Sequence, residues 1–291
     1  MRGAGAGPSG GAGRPASMIV VKFGGELLED RRQLGLAASA VRRMAGSGRL
    51  VVVHGGGRAI DVGLRAAGLE KRQVEGLRIT DEASLEVVVA VLAGAINTRF
   101  VAALEAAGVA AVGLTGADGR CGLSEQAPPH ATLDGRTVDL GFVGMPAADA
   151  DMRLLHALTA AEFVPVVASI GIGRDGGLLN INADTLAAHF AARLGARRLV
   201  IAGTTPGVLG PDGGTIRRLE ADRIAALLSD GTATAGMIAK LRAAEAAMAG
   251  GAGDVVIVDG RDPAVLAAAA VDEEPAKATR LVARAAEVRE P

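Results

Sequence analysis

Short, almost continuously apolar runs alternate with Ala- and Leu-rich stretches of helical period along most of this chain. The runs read MIVVKF (18–23), LVVVH (50–54), AAVGL (110–114), FVPVVAS (163–169), RLVIAG (198–203), DVVIVDG (254–260) and ATRLV (278–282). Runs without polar alternation are typical of strands that are buried on both faces. Such strands, separated by helices, predict an α/β fold with a mostly parallel sheet covered by helices on both sides.

The segments between the strands predict how they are connected. Residues 81–108 have the length and period of one long helix, and a glycine such as Gly108 is a common helix stop. Residues 118–146 and 171–182 are rich in Gly, Asp and Pro. We expect hairpins and loops there rather than helical crossovers.

The chain is predicted to have three parts. Residues 1–17 are rich in Gly, Ala and Pro without any period, so we expect a disordered leader. No shift in composition marks a linker further along the chain. We place the division between an N-terminal lobe, 18–170, and a C-terminal lobe, 171–291, where the second loop-rich segment begins.

Composition argues against several functional classes. The chain has no Trp or Tyr and five Phe, so it lacks the aromatic platforms on which single-stranded nucleic acids stack. Its 31 basic and 32 acidic residues nearly cancel, which leaves no charge for binding DNA or an anionic membrane surface. No signal peptide and no apolar run of about 18 residues is visible. We expect a cytoplasmic protein that binds neither nucleic acid nor membranes.

Consecutive glycines follow the first two predicted strands. VVKFGG ends in Gly24 and Gly25, and VVVHGGG ends in Gly55, Gly56 and Gly57. In an open α/β sheet, ligands bind beyond the carboxyl ends of the strands, where glycines let backbone N–H groups close on an anion. Tight strand-to-helix turns explain either run alone equally well. Two such runs on early strands together favour an anion site.

Three more specific motifs do not fit. No lysine follows a glycine, so a Walker A loop is excluded. Outside the Gly-rich leader, no serine is flanked as in the G-x-S-x-G elbow that accompanies an HGGG oxyanion loop in hydrolases. The G-x-G-x-x-G match at 171–176 runs into another extended segment, whereas a dinucleotide site would continue into a helix.

Four charged residues in apolar surroundings require an explanation. Lys22 lies inside a strand, where an ammonium group is unfavourable unless it is paired or reaches solvent at an edge. Arg78 suits a carboxylate ligand, and a structural ion pair explains it nearly as well. Asp184 precedes a helix, and an ordinary N-cap is the simplest interpretation. Lys240 falls near the start of a predicted helix, where a cation opposes the helix dipole unless an anion is nearby.

Metal-binding and thiol chemistry have little support. The four histidines are scattered without ligand spacing, so we expect no metal site formed by the protein alone. His189 falls within a predicted helix and is expected to be packed rather than catalytic. The single cysteine, Cys121, has no identifiable base and cannot form an internal disulfide.

A series of motifs, taken together, resembles the acetylglutamate kinases of the amino acid kinase family. The motifs are KFGG (22–25), HGGG (54–57), GLRITD (76–81), AGAINTRFV (93–101), GLTGADG (113–119), PVVASIG (165–171), NINAD (180–184), TTPGVL (204–209), GMIAK (236–240) and VDGRDP (258–263). Each is unspecific alone, but they occur in the family's order over roughly residues 18–283. The resemblance implies an open αβα sandwich in which the N-terminal lobe binds the acyl amino acid and the C-terminal lobe binds ATP.

The resemblance also implies a reaction. ATP, with Mg²⁺ held mainly by its phosphates, would phosphorylate the side-chain carboxylate of N-acetyl-L-glutamate in arginine biosynthesis. Lys22 and Lys240 would stabilise the charge on the transferring phosphoryl group, and Asp184 would hold both lysines in place. A carboxylate is already ionised at neutral pH, so no general base is required.

The remaining positions that the resemblance carries over would bind the two substrates. Glycines would line the phosphate path with N–H groups, namely Gly24, Gly25, Gly56 and Gly57, the last two on the side of the amino acid. Arg78 and Asn180 would bind the α-carboxylate of N-acetyl-L-glutamate. A segment after the fifth predicted strand would lie against the nucleotide, with Thr204, Thr205, Gly207 and Leu209 as its contacts.

Two departures from the family pattern keep other functions open. Arg58 and Ala59 follow HGGG where Pro-Gln is frequent, which leaves room for a sister kinase acting on an aminoadipate-type or carrier-linked substrate. The family often has an Asp near the position of Thr204, and this chain does not. A catalytically silent nucleotide sensor is therefore a second alternative. We expect a homodimer without arginine feedback, because the leader is not amphipathic as in the arginine-inhibited members of the family.

Overall fold

The structure is a computed structural model that describes residues 17–132, 134–229, 235–271, 275 and 277–283. Within these residues the strands are β1 Met18–Phe23, β2 Arg49–His54, β3 Gln73–Val74, β4 Leu77–Arg78, β5 Ala111–Thr115, β6 Ser124–Gln126, β7 His130–Ala131, β8 Thr137–Val138, β9 Gly144–Pro146, β10 Val164–Ala168, β11 Ile170–Ile172, β12 Leu178–Asn180, β13 Arg198–Gly203, β14 Arg218–Glu220, β15 Asp254–Asp259 and β16 Ala278–Val282. The helices are α1 Arg31–Ala45, α2 Gly57–Ala66, α3 Glu82–Val89, α4 Asn97–Ala106, α5 Arg153–Ala160, α6 Ala183–Arg193, α7 Asp222–Ser229, α8 Ala235–Ala249 and α9 Pro263–Ala270. Apart from Ser17, the leader predicted over 1–17 lies outside the described residues.

An eight-stranded sheet runs through the described part of the molecule in the order β14-β16-β15-β13-β1-β2-β10-β5. Its neighbouring strands are parallel except for β15 and β16, which are antiparallel. The predicted α/β fold with a mostly parallel sheet is therefore confirmed. β1 lies between β2 and β13, with Phe23 opposite both His54 and Ala202, so the carboxyl ends of these three strands meet at one edge.

The predicted division into two lobes does not interrupt this sheet. β13, from the second lobe, pairs with β1, from the first, over the register from Ile19 opposite Arg198 to Phe23 opposite Ala202. Neighbouring strands that share a full ladder of hydrogen bonds form one continuous layer. The division near residue 171 stays a prediction about which ligand each half binds.

Alternate side chains of the central strands enter two apolar cores on opposite sides of the sheet. In β1, Val21 and Phe23 join the core beneath α1 and α9, whereas Val20 joins the core beneath α6 and α8. Because side chains alternate along a strand, Lys22 lies on the same side as Val20. The lysine therefore points toward α6 rather than toward solvent.

The loop-rich segments form antiparallel pairs, as predicted. β6 pairs with β9 and β7 pairs with β8 within the first segment. β11 pairs with β12 in the second, where Ile170 lies opposite Asn180. These pairs stand apart from the main sheet and bring Asn180 back over its carboxyl-end edge.

The long helix predicted over 81–108 is present but irregular. It begins as α3, widens into a π-helix over Ala90–Ile96 and continues as α4. Short π segments that interrupt α-helices are frequent at functional sites. Nothing in the apolar period of the sequence indicated the wider turn.

The same span is more apolar than we expected. Glu82–Ala106 is long and apolar enough to cross a membrane by length and composition, although we expected no such stretch. In this structure Val88, Phe100 and Leu104 are fully buried and belong to the apolar core on the α1 side of the sheet. A third of its most apolar window is buried in this way, so the fold accounts for that part of its apolar character.

Candidate active site

The two glycine loops touch each other at the carboxyl-end edge of the sheet. A side chain at Gly25 would place its first carbon 2.5 Å from the Cα of Gly56. A side chain at Gly56 would meet Ile96 and Leu92 of the π-helix. Gly25 and Gly56 are therefore required for close packing of the loops, whatever ligand binds there.

Two other glycines in these loops differ from each other. Gly57 begins α2 and has no atom within 4 Å of the place where a side chain would start. N–H groups in a first helical turn have no acceptor within their own helix, so this end of α2 is suited to an anion. We expected Gly24 to offer its N–H as well, and this was wrong, because that group donates to Ala202 O at 2.9 Å.

Lys22 and Asp184 form a buried ion pair between β1 and the first turn of α6. The distance from Lys22 Nζ to Asp184 Oδ1 is 2.9 Å, and the two side chains are 9% and 8% exposed. The contact is an ion pair without hydrogen-bond alignment, so Asp184 Oδ1 still has an unused acceptor position. The alternative in which Lys22 reaches solvent at a sheet edge was wrong.

The helix cap next to this pair belongs to a different residue from the one considered. Asn182 is the N-cap of α6, and its Oδ1 accepts from Asp184 N at 2.8 Å and from Thr185 N at 3.2 Å. The simplest interpretation of Asp184, an ordinary N-cap, was therefore wrong. Because the Asn182 side chain accepts from the N–H groups at the start of α6, the Asp184 carboxylate is not needed as a cap and faces Lys22 instead.

Lys240 approaches the same place from α8. Burial lowers the pKa of Lys240, the charge of Asp184 opposes that shift, and the charge of Lys22 adds to it. Its Nζ donates to Gly236 O at 3.2 Å, within its own helix. In this structure Asp184 thus pairs directly with Lys22 and acts on Lys240 through charge alone.

An acidic side chain that sequence reasoning missed lies beside Lys240. The carboxylate of Glu26 folds back over Gly24, where the first carbon of a side chain would be 2.5 Å from Oε1 and 2.6 Å from Oε2. A side chain at Gly203, at the end of β13, would start 3.4 Å from Glu26 Oε1 and 3.6 Å from Lys240 Cε. The charge of Glu26 raises the pKa of Lys240, against the effect of burial.

Arg78 is held at the α2 end of this edge by Asp61. Arg78 Nη2 donates to Asp61 Oδ1 at 2.5 Å and to Gly57 O at 3.3 Å, while Lys71 Nζ donates to Asp61 Oδ2 at 2.9 Å. Burial alone would raise the pKa of Asp61, but the two cations outweigh it and hold that pKa below its usual value. Arg78 Nη1 is buried and has no hydrogen-bond partner in the described structure.

The structural ion pair considered for Arg78 is therefore present, and it leaves one end of the guanidinium unused. Asn180 lies near, because its Nδ2 donates to Thr80 Oγ1 at 3.1 Å, two residues after Arg78. A buried donor without an acceptor is unfavourable unless a ligand completes it. Arg78 Nη1 is such a donor, and a carboxylate is the ligand that it suits.

The segment after β13 was predicted to contact nucleotide, and its four candidate residues differ. Gly207 has φ of +95° and packs on Thr279, whose Oγ1 would be 2.5 Å from the first carbon of a side chain there. The fold therefore requires a glycine at position 207, whether or not a ligand binds there. Thr204, Thr205 and Leu209 are exposed, the last by 50%. These three side chains are available to a ligand.

His54 and Asn97 form a second polar group that sequence reasoning missed. Asn97 Nδ2 lies 3.0 Å from His54 Nε2 and donates to Val166 O at 2.8 Å. An amide nitrogen only donates, so His54 Nε2 accepts and the ring proton sits on Nδ1, 3.3 Å from Gly55 O. Burial lowers the pKa of His54 to about 4, so the ring is neutral at pH 7. The pair fixes the start of the HGGG loop.

The other titratable candidates lie away from this chemistry. Burial lowers the pKa of His189 to about 4, in keeping with the packed position expected for it. Burial raises the pKa of the Cys121 thiol to about 12, which leaves it unreactive. Within the described residues, no three His, Cys, Asp or Glu side chains are grouped closely enough to hold a metal ion by themselves.

The fold and the site together define an α/β protein whose glycine loops, helix end and buried lysines gather at the carboxyl-end edge of its sheet, where open α/β sheets bind ligands. Residues 17–259 match the Amino acid kinase family. The chain belongs to this family.

Relatives and solved structures agree with this membership. The chain is 42% identical over 253 residues to the acetylglutamate kinase of Granulibacter bethesdensis, covering 84% of each chain. It superposes with a TM-score of 0.79 and 26% identity on N-acetylglutamate synthase of Neisseria gonorrhoeae, solved with coenzyme A and N-acetylglutamate, over 94% of this chain. It spans 61% of that synthase. Carbamate kinase of Giardia shares the fold, with a TM-score of 0.65 and 16% identity over 92% of this chain and 99% of that enzyme.

Proposed function

We propose that this protein is an ATP-dependent kinase that phosphorylates the side-chain carboxylate of N-acetyl-L-glutamate, giving an acyl phosphate for arginine biosynthesis. The observation that carries the proposal is the convergence of Lys22, Asp184 and Lys240 at one edge of the sheet, in a chain 42% identical to an acetylglutamate kinase. A site with two cations suits an acceptor that is already ionised and therefore needs no general base.

The proposed roles follow from where each group lies. Lys22 and Lys240 stabilise negative charge on the transferring phosphoryl group, since each is desolvated and therefore interacts strongly with a nearby anion. Asp184 holds Lys22 in direct contact, and its charge opposes the lowering of the Lys240 pKa by burial. Gly25, with its loop packed on that of Gly56, lets the phosphate chain approach the backbone.

The amino acid would bind at the α2 end of the edge. There, the unused Nη1 of Arg78 and the Asn180 amide would hold its α-carboxylate. The side-chain carboxylate would then face Gly56 and Gly57, next to the phosphate path. This arrangement assigns the acyl amino acid mainly to the N-terminal lobe, 18–170, although Asn180 belongs to the other half.

The nucleotide would bind at the other side, on the C-terminal lobe. Thr204, Thr205 and Leu209 are exposed there after β13. Gly24 leaves room for the Glu26 carboxylate and Gly207 lets its segment pack on Thr279, along the loops on which the phosphates and the base would lie.

The residues present also suit magnesium delivered with the nucleotide. Mg²⁺ in kinases is usually held by the phosphates, by water and by one or two carboxylates. Glu26, whose carboxylate lies beside Lys240, and Asp184, with its unused acceptor position, are the carboxylates at this edge. When bound, the ion would neutralise charge on the phosphates.

The assembly and location are further parts of the proposal. We propose a cytoplasmic homodimer. β5 is an outer strand of the main sheet, and outer strands are surfaces to which a second copy can add, although Ala111 N and Thr115 N of β5 already bond to Glu105 and Asp118. Light scattering on the purified protein would give twice the mass of one chain. A monomer, or a hexamer sensitive to arginine, would contradict this part.

Acyl phosphate formation tests the central claim. The protein would be incubated with MgATP and, in parallel, with N-acetyl-L-glutamate, free glutamate or N-acetyl-aminoadipate, and the product trapped as a hydroxamate. We expect a signal with N-acetyl-L-glutamate alone. A signal only with the longer acid would support carboxylate phosphorylation but exclude N-acetyl-L-glutamate as the substrate. Nucleotide binding without any signal would contradict the proposed kinase activity.

A further inference from the structure

The position of Glu26 is unusual for a side chain next to a phosphate site. The carboxylate is half-buried and lies directly on Gly24, with the carboxyl carbon and both oxygens within 2.6 Å of where a side chain would start. An anion placed there stands between the glycine loop and the end of β13. This is the space through which the nucleotide phosphates would reach Lys22 and Lys240.

The carboxylate of Glu26 also has no ion-pair partner within 4.0 Å in the described part of the chain. Lys240 is near enough for the Glu26 charge to act on it, yet its Nζ donates to Gly236 O instead. By contrast, Glu29, three residues further on, pairs with Arg58 at 3.2 Å on the surface. Within the described residues, the Glu26 carboxylate is therefore available to whatever enters the site.

The sign of that charge matters for nucleotide binding. The phosphates of metal-free ATP are strongly negative, and a fixed carboxylate within a few ångströms repels them in a partly desolvated site. A divalent ion on the phosphates removes most of that repulsion and can accept a carboxylate oxygen, directly or through water. The same side chain is thus unfavourable for one form of the nucleotide and neutral or favourable for the other.

We propose that Glu26 makes nucleotide binding depend on the divalent cation, because its carboxylate rejects the metal-free nucleotide and accepts the magnesium complex. The inference rests on the proposed function, since it requires that nucleotide phosphates bind at this edge. It assigns to Glu26 a specificity-determining position between Gly24 and Lys240. Lys22 and Lys240 would bind either form, and Glu26 would discriminate between them.

Calorimetric binding of a non-hydrolysable ATP analogue tests this directly. Dissociation constants would be measured with excess EDTA and with excess Mg²⁺ for the unaltered protein, Glu26→Gln and Glu29→Gln. The first variant removes the charge at constant size. The second removes the same charge from the nearby surface pair with Arg58, and it is the matched control.

We expect Glu26→Gln to bind the metal-free analogue about tenfold more tightly, so that the ratio of the two dissociation constants falls by about that factor. Glu29→Gln should leave the ratio nearly unchanged. Glu26→Asp, which keeps the charge, should keep most of the discrimination. A ratio unaltered in Glu26→Gln, or lowered equally by Glu29→Gln, would overturn the inference.

The failure of this inference is distinguishable from failure of the proposed function. If the hydroxamate reaction proceeds and the binding ratio does not respond to Glu26→Gln, only the assignment of Glu26 is refuted. If the unaltered protein binds neither form of the analogue, both fall together. Circular dichroism of the variants would confirm folding, which we expect because the Glu26 side chain is partly exposed and makes no described ion pair.

Discussion

Opposite ends of the central strands carry buried charge clusters that are satisfied to different degrees. At the amino end, Arg198 is 1% exposed and binds both oxygens of Asp254 at 2.6 Å. Arg280 adds a third contact to Asp254 at 2.7 Å, and the Arg198 guanidinium also donates to Ala269 O and Val271 O. This cluster ties β13, β15 and β16 together with α9.

At the carboxyl end the charges are close but incompletely paired. Asp184 contacts Lys22 with one oxygen that has no hydrogen bond, Lys240 turns to a backbone carbonyl, and Glu26 has no described ion pair. Buried charges are stable only when paired and hydrogen-bonded. The first cluster meets this condition within the protein, and the second requires a ligand to meet it. We infer that completeness of pairing separates structural charge from functional charge in this molecule.

The largest expected effect would come from breaking the complete cluster. Asp254→Ala leaves Arg198 buried without its carboxylate, and we expect the free energy of unfolding to fall by about 3–5 kcal/mol. Urea denaturation followed by circular dichroism measures this. Arg280→Ala is the control, since its side chain is 28% exposed and Arg198 still neutralises Asp254. Equal losses in both variants would contradict a central position of Asp254.

The two lysines sharpen the comparison because they differ in pairing. Lys22→Ala and Lys240→Ala should each lower kcat by an amount equivalent to about 2–4 kcal/mol, as for loss of one transition-state donor. Only Lys22→Ala should also reduce the free energy of unfolding, because it leaves the Asp184 carboxylate buried and unpaired.

Kinetics and urea denaturation on the same samples separate the two effects. Lys240→Arg, which retains charge, should recover part of the rate. Loss of stability in Lys240→Ala equal to that in Lys22→Ala would show that Lys240 belongs to a structural cluster. Unchanged kcat in either alanine variant would remove that lysine from the proposed chemistry.

A smaller effect is expected at the amino-acid end. Arg78→Ala should mainly raise KM for N-acetyl-L-glutamate, by an amount equivalent to about 1.5–3 kcal/mol, the range for a hydrogen bond to a charged group. Steady-state kinetics with each substrate varied measures it. Lys71→Ala is the control, because it removes the other partner of Asp61 and leaves Arg78 in place. If kcat fell as much as in the lysine variants, the division of tasks would be wrong.

The smallest effect concerns pH. Burial lowers the pKa of Lys240 from its ordinary 10.5, so kcat should decline at an alkaline pH below that value as the amine loses its proton. Between the two pKa values the unfolded chain binds more protons, so this residue makes stability rise with pH while activity falls. Asp184→Asn removes the charge that raises the pKa of Lys240 and should move the decline to lower pH. A pH profile identical in both proteins would refute the coupling.

Much of the fold could be predicted because its signals are local. The apolar run that predicts β1 lies within the six residues of the strand itself. The pairing of β11 with β12 was predictable because the turn between them contains Gly and Asp. The π-helix at Ala90–Ile96 could not be predicted, since the apolar period is the same on both sides of it. The N-cap was assigned to the wrong residue because Asn182 and Asp184 are both good caps.

The candidate site divides in the same way. Lys22 and Lys240 were singled out as charges in apolar or dipole-opposed positions, and the glycines as strand ends. Glu26 and Asp61 were missed, because an acidic residue in a loop or on a helix is ordinary in a sequence. Only the fold shows that the first lies between Gly24 and Lys240 and that the second holds Arg78.

By itself, the sequence determined which segments become strands and helices, where the glycine loops lie and which family the motifs resemble. These depend on side-chain period and backbone freedom, which act over a few residues. Only the tertiary structure decided that β13 lies beside β1, that Asp184 faces Lys22 and that Glu26 stands next to Lys240. Those facts depend on contacts between segments far apart in the chain. Such contacts form only when the strands and helices pack together into the sheet and its two helical layers.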